Sequence, residues 1–320
     1  MHLPENIEFD REIEKIIQKK LDQFDPSLTQ PFLDRVKEMV GAKCEAIVVY
    51  GSCLSDVTCS PTSTPDFYLL VKNYFQFHTS KFHALLNYVL PPNIYHFEIN
   101  GRQSKFNVIS LAALKKQTSI HASDTYQLGR FSKRIAMAWA KTPEIRAFIA
   151  KIQASAMSVV AQKTICRMSN PFNMESFIQE ALRLSYYGDV RVEAHNKIQK
   201  LLEAEKEFYQ AVYGKVLKKM EIANWITYEK DPSTFRKVDR GWLDFLDRTK
   251  ESYFLWKSQI RAQLRWPKGI FTVHGWVDYL LTKIERTQGI RIQLTPHQKK
   301  LWFIYGWKYF FSLRRKNLLK

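Results

Sequence analysis

Two short apolar runs constrain this chain more than any other feature: Ala46-Ile-Val-Val-Tyr-Gly-Ser52 and, fourteen residues after Ser52, Asp66-Phe-Tyr-Leu-Leu-Val71. β-Branched and aromatic residues in runs this short predict strands buried on both faces, not helices. The first ends in Gly-Ser, which predicts a tight turn at the strand's end. The second opens on a carboxylate. A buried strand, a glycine turn and an acidic residue on the neighbouring strand form the minimal layout of a nucleotidyltransferase. In that layout Gly51 and Ser52 would let backbone and hydroxyl approach a triphosphate, and Asp66 would hold Mg²⁺ between its phosphates; the same residues also fit an ordinary strand end with Asp66 capping its strand. The wider pattern has a second carboxylate two residues on, where side chains return to the same face of the strand. Position 68 is Tyr.

Around these runs the periodicity predicts a small mixed α/β unit. Residues 9–40 read as two helices separated by Pro26 and Pro31, with apolar positions Ile13, Ile16, Ile17, Leu21, then Phe32, Val36 and Val40. A helix over 79–88 stops at Pro91-Pro92. The runs IYHFEI and KFNVIS flank Asn100-Gly101, a hairpin signal. From about Ser110 the pattern is mainly helical, with breaks near Asn170-Pro171, Gly188 and Asp231-Pro232.

Charge narrows the partners. Lys and Arg number 49 against 31 Asp and Glu, a formal net charge of +18. That excess favours an anionic partner, nucleic acid or an anionic membrane surface. The four cysteines, Cys44, Cys53, Cys59 and Cys166, have no metal-site spacing and fit a reducing compartment. No apolar window approaches the roughly 20 residues that span a bilayer, and the acidic start MHLPENIEFDREIEK lacks a signal-peptide core. The segment Pro296–Lys320 carries seven Lys or Arg, no acidic residue, and a Trp-, Tyr- and Phe-rich stretch. It is expected to lie as an interfacial helix on anionic lipid, the alternative being a C-terminal helix packed into the core.

At this point the sequence resembles a known family, the mitochondrial translocator assembly and maintenance proteins. These are peripheral CDP-diacylglycerol synthases with bacterial relatives. Tyr50-Gly51-Ser52 and Asp66-Phe67 match its nucleotidyltransferase motif, which also lacks a carboxylate at the next same-face position. Asn100-Gly101-Arg102 with Lys105-Phe-Asn-Val-Ile-Ser110 resembles its N-G-R and K-Y-G-V-I-S stretch. Leu128-Gly-Arg-Phe-Ser-Lys133 resembles A-G-R-L-Q-K-P, with Arg134 in place of the proline. Leu184-Ser-Tyr-Tyr-Gly-Asp-Val-Arg191 resembles L-S-Y-S-G-D-x-R, and Lys268-Gly-Ile-Phe-Thr272 resembles K-G-I-F-T.

The resemblance implies an α+β chain: a nucleotidyltransferase domain (1–145) with a mixed sheet, a helix-rich winged-helix-like domain (146–260) and a C-terminal amphipathic, membrane-binding region (261–320). It implies Mg²⁺-dependent transfer of CMP from CTP to phosphatidic acid, giving CDP-diacylglycerol and pyrophosphate. Asp66, Lys105, Arg130, Lys133, Asp189 and Arg191 are the expected catalytic residues, with Asp66 and Asp189 as metal ligands. Tyr50, Gly51, Ser52 and Lys268 are expected to bind the nucleotide. Glu98 is a weaker alternative ligand, and His121, His195 and His274 are read as ordinary histidines. CTP, phosphatidic acid and an anionic membrane are the expected partners rather than nucleic acid, at the inner face of a bacterial cell membrane. Two other readings stay open: a nucleotidyltransferase acting on RNA or protein, and a catalytically degenerate binding module.

Overall fold

The computed structural model describes residues 7–25, 27, 29–54, 65–187, 195–229, 233–272, 281, 294–295 and 297–298. The chain divides into two compact units, Met1–Trp266 and Pro267–Lys320. Two helices open the first, α1 (Ile7–Asp22) and α2 (Gln30–Val40). Ile13, Ile17 and Leu21 recur every four residues along α1 and are fully buried, so the helix lays one apolar stripe on the core. Pro31 stands in the first turn of α2, where its missing N–H costs nothing.

Five strands form one mixed sheet: β1 (Cys44–Tyr50), β2 (Asp66–Val71), β3 (Asn93–Ile99), β4 (Arg102–Ser110) and β5 (Ile135–Ala140). Their order is β3-β4-β2-β1-β5. The β2–β4 pair is parallel and the other pairs antiparallel. Parallel neighbours need a crossover, supplied by α3 (Tyr74–Phe77), α4 (Lys81–Val89) and β3. Asn100 and Gly101, at φ 50° and 74°, are the two left-handed residues that the β3–β4 hairpin turn requires.

The expected helical character after residue 110 is interrupted by β5, whose sequence IAMAWA carries helix-forming Ala and Met. Tertiary pairing overrides that preference: β1 has an open edge, and β5 fills it from Tyr50↔Ile135 to Ala46↔Ala140. The remaining helices are α5 (Leu111–Gln117), α6 (Thr125–Phe131), α7 (Pro143–Ile165), α8 (Met174–Ser185), α9 (His195–Ala204), α10 (Lys206–Ile222) and α11 (Trp242–Thr272). A small antiparallel sheet of β6 (Phe172–Asn173), β7 (Ile226–Tyr228) and β8 (Thr234–Lys237), in the order β6-β8-β7, joins them. The chain is therefore α+β, as read from its sequence.

The central strands are buried on both faces, and the period-2 alternation divides their side chains. Val49, Phe67, Leu69 and Val71 meet Phe32, Leu33 and Val36 of α2. Val48, Tyr50, Tyr68 and Leu70 join Phe131, Met157, Phe177 and Tyr213 in a core that continues into the helices. Among the described residues no helix is long and apolar enough to cross a membrane.

Candidate active site

Strand pairing assembles the site. Tyr50, the last residue of β1, faces Asp66, the first of β2, and Asp66 faces Lys105 on β4. The Lys105 ammonium lies 3.2 Å from Asp66 Oδ2, with each side chain about a quarter exposed. Gly51 leaves β1 at φ 93°, a conformation that side-chain-bearing residues rarely adopt. A Cβ built on it would lie 3.5 Å from Asp66 Oδ2, so the turn's backbone passes directly over the carboxylate. Ser52 opens a one-turn 3₁₀ helix, Ser52–Leu54.

Tyr68, where the wider pattern has a second carboxylate, is fully buried. Its ring packs 4.9 Å from that of Tyr50 and 5.3 Å from that of Phe131. This position belongs to the core. Across the sheet, Asn107 donates from Nδ2 to the Tyr50 hydroxyl at 2.6 Å. Burial, and then the Asp66 charge, push the Tyr50 phenol well above its ordinary pKa. It stays protonated and is no proton acceptor.

Helix α6 and the residues just after it bring two cations. Asp124 caps its start by accepting from the Tyr126 N–H at 2.9 Å. Arg130 then reaches back one turn: its guanidinium sits 3.6 Å from the Tyr126 ring centroid and 5.9 Å from that of Tyr50, and it donates to the Tyr126 carbonyl at 3.0 Å. Lys133 follows, its ammonium 3.6 Å above the Tyr186 ring. A Cβ on Gly129 would fall 2.0 Å from the Ser185 carbonyl oxygen. The glycine of the L-G-R motif thus lets α6 touch the backbone of α8 at the L-S-Y motif, and that contact places Lys133 over Tyr186. The two motifs are 56 residues apart in sequence and adjacent in space.

Arg134, the residue that departs from the resembled pattern, is structural. Buried, it pairs with Glu205 and donates to the Gln23 carbonyl at 2.8 Å, while its N–H donates to the Tyr209 hydroxyl at 3.2 Å. It ties the end of α1 to the start of α10.

The first unit therefore brings Tyr50, Gly51, Asp66, Lys105 and Arg130 to one end of the sheet, with Lys133 on the same short segment as Arg130. Asp189 and Arg191 lie outside the described residues, as does nearly all of Pro296–Lys320. Lys268 is buried on α11 within the second unit. Glu98 is exposed on the edge strand β3, opposite Gln103. Among the described residues no three His, Cys, Asp or Glu side chains gather as a metal site.

Mg²⁺ does not need such a cage, because it commonly takes one or two carboxylates and completes its shell with water and substrate phosphate. A quarter-exposed Asp66 beside a glycine turn suits that mode of binding.

Sequence reasoning missed Tyr126, Asp124 and Arg265. The buried Asp124 accepts from Arg261 Nε at 2.6 Å and Arg265 Nη2 at 2.8 Å, and the Arg265 guanidinium lies 4.3 Å from the Tyr126 ring centroid. The only local signal was an Asp just before a helix. Its partners on α11 stand more than 130 residues away.

In comparisons with known proteins, a family model described as mitochondrial phosphatidate cytidylyltransferase matches residues 73–244, more than half of the chain. The match takes in Lys105, Arg130 and Lys133, and begins just after β2 and its Asp66. No curated protein gives a match.

Proposed function

The chain belongs to the phosphatidate cytidylyltransferase family, whose members are nucleotidyltransferases acting on CTP and phosphatidic acid, and from that we propose that Asp66, Lys105, Arg130 and Lys133 perform this transfer with Mg²⁺ at the end of the sheet. The pairing of Asp66 with Lys105 across β2 and β4, under the Gly51 turn, carries the reading.

In the reaction, a phosphate oxygen of phosphatidic acid attacks the α-phosphorus of CTP. The bond from that phosphorus to the oxygen bridging it to the β-phosphate breaks, and pyrophosphate leaves. The nucleophile is already an anion, so the protein has little proton to remove. Its task is to hold two anions together in line. When bound, Mg²⁺ would neutralise phosphate charge, and Asp66 is the residue that would hold it. Lys105 both orients the Asp66 carboxylate and adds positive charge beside it. Arg130 presents a planar fork suited to phosphate, with its plane held against Tyr126. Lys133 supplies a further point charge. A protonated Tyr50 closes the floor without competing for a proton.

Asp189 and Arg191 are proposed as a second carboxylate and a further phosphate clamp, and Ser52 and Lys268 as nucleotide contacts, all on the motif resemblance. The basic aromatic segment Pro296–Lys320 supports association with an anionic membrane, and we place the protein peripherally on the inner face of the cell membrane.

The test is pyrophosphate release from CTP and Mg²⁺, with and without phosphatidic acid in mixed micelles. Lipid-dependent release that falls by about 10²-fold or more in Asp66→Ala is the expected result, the scale typical of losing a major electrostatic contributor. Wild-type release that needs no lipid, or equal rates in the variant, would refute the assignment.

A further inference from the structure

Helix α11 buries Glu251, Leu255, Ser258, Ala262 and Arg265, a regular inward stripe. The opposite side of a surface helix is ordinarily polar. Here it carries Tyr253, Trp256, Ile260 and Leu264, with Trp256 59% exposed, and Trp242 stacked on Phe245 at the helix start. A second exposed apolar row lies on α4: Phe82, Leu85, Tyr88 and Val89, with Tyr88 71% exposed. Single exposed apolar residues are commonplace, whereas ordered rows of them mark a surface that meets something.

Charge indicates what that is. The three acidic residues of α11 are all committed to the fold: Asp244 and Asp247 to Arg240, and Glu251 to Lys163. Arg248 and Lys250 remain exposed on the same helix, and α4 contains no acidic residue. Trp and Tyr beside cations suit the headgroup layer of an anionic bilayer. A second copy of this face, brought against it by a two-fold axis, would set like charges against each other.

The inward side of α11 ties the end of α4 to the start of α6, the helix that carries Arg130. Arg265 Nε donates to the carbonyl of Pro91, just beyond the end of α4, at 3.1 Å, while its Nη2 grips Asp124 at the start of α6. A lipid whose headgroup must reach Arg130 while its chains stay in the bilayer needs an apolar border.

We propose that the outward rows of α11 (residues 242–264) and α4 form the surface on which the first unit rests on an anionic lipid bilayer, next to the entrance for the lipid headgroup. This rests on the reading of the substrate as phosphatidic acid. Its residues are distinct in sequence from the basic segment Pro296–Lys320.

Full-length protein is sedimented with phosphatidylcholine vesicles containing phosphatidylglycerol, which is not the substrate. Two paired variants, Trp256→Ser with Ile260→Ser, and Leu85→Ser with Tyr88→Ser, are compared with wild type. Each is expected to weaken vesicle binding at least about tenfold, leaving turnover of a soluble short-chain phosphatidic acid unchanged. Hydrogen exchange of the wild-type chain is the second readout, with vesicles expected to protect 249–264 and 81–89. Wild-type-like binding by both variants, absence of that protection, or a wild-type dimer that the variants dissolve would each overturn the proposal. If wild type binds vesicles but does not convert the short-chain lipid, the substrate reading has failed and the surface has not.

Discussion

At the residue scale, the proposed role of the Asp66–Lys105 pair can be separated from its part in stability. Both side chains are about a quarter exposed, so the pair contributes at most about 1 kcal/mol to folding. Lys105→Ala should therefore melt close to wild type while losing pyrophosphate release by roughly 10²-fold, because the lost charge faces the developing phosphate charge. Calorimetry beside a turnover assay checks both halves. Arg134 should behave in the opposite way. Arg134→Ala leaves the buried Glu205 with Lys20 alone, at 2.8 Å, and removes the donor to Gln23. A loss of about 3 kcal/mol is expected in urea unfolding, with KM for CTP unchanged in whatever protein remains folded.

The same contrast explains what the residues disclosed in advance. Gly51 and Asp66 were legible because a strand, a turn and a carboxylate announce themselves locally; Tyr50 and Lys105 came through the motif resemblance, and register brings all four together. Arg134 looked only like a departure from a motif. Its role depends on Glu205 and Gln23, which no local pattern connects to it.

At the scale of elements, the helix contact at Gly129 is the tightest constraint. A methyl group there would overlap the Ser185 carbonyl, and backbone cannot rotate away as a side chain can. Gly129→Ala should cost about 1–3 kcal/mol or more by overpacking. It should also tilt α6, reducing activity beyond the stability loss, which thermal melts alongside turnover at a temperature well below melting would reveal. Strands β1 and β2, and the β3–β4 hairpin with its Asn-Gly turn, were readable from sequence because both their composition and their turn chemistry agree. Strand β5 was not, since IAMAWA favours a helix when read alone and becomes a strand only because β1 offers it an edge. The β7–β8 hairpin escaped for a different reason: strands of three and four residues are too short to show alternation.

At the scale of the whole molecule, Asp124 is the junction. Burial opposes its ionisation, but the Arg265 charge and the hydrogen bonds from Arg261, Arg265 and the Tyr126 N–H outweigh that. Its carboxyl is held below the ordinary value of 3.8. A carboxylate with a depressed folded pKa contributes stability that is full above the unfolded value and lost as pH falls through the folded one. Acid titration should therefore remove part of the protein's stability below about pH 4, and Asp124→Asn should show a smaller loss over that interval. Chemical denaturation at pH 7 and pH 3 provides the comparison.

The grip of Arg261 and Arg265 on Asp124 also limits how the protein can be cut. The residue that starts the cation-bearing helix beside the sheet has its counter-charges on a helix more than 130 positions further along the chain. A fragment ending at residue 260 would keep all five strands of the main sheet, yet would strand a buried anion and open the face of Tyr126. A cut anywhere between the main sheet and Arg265 therefore breaks a buried ion pair as well as a chain connection.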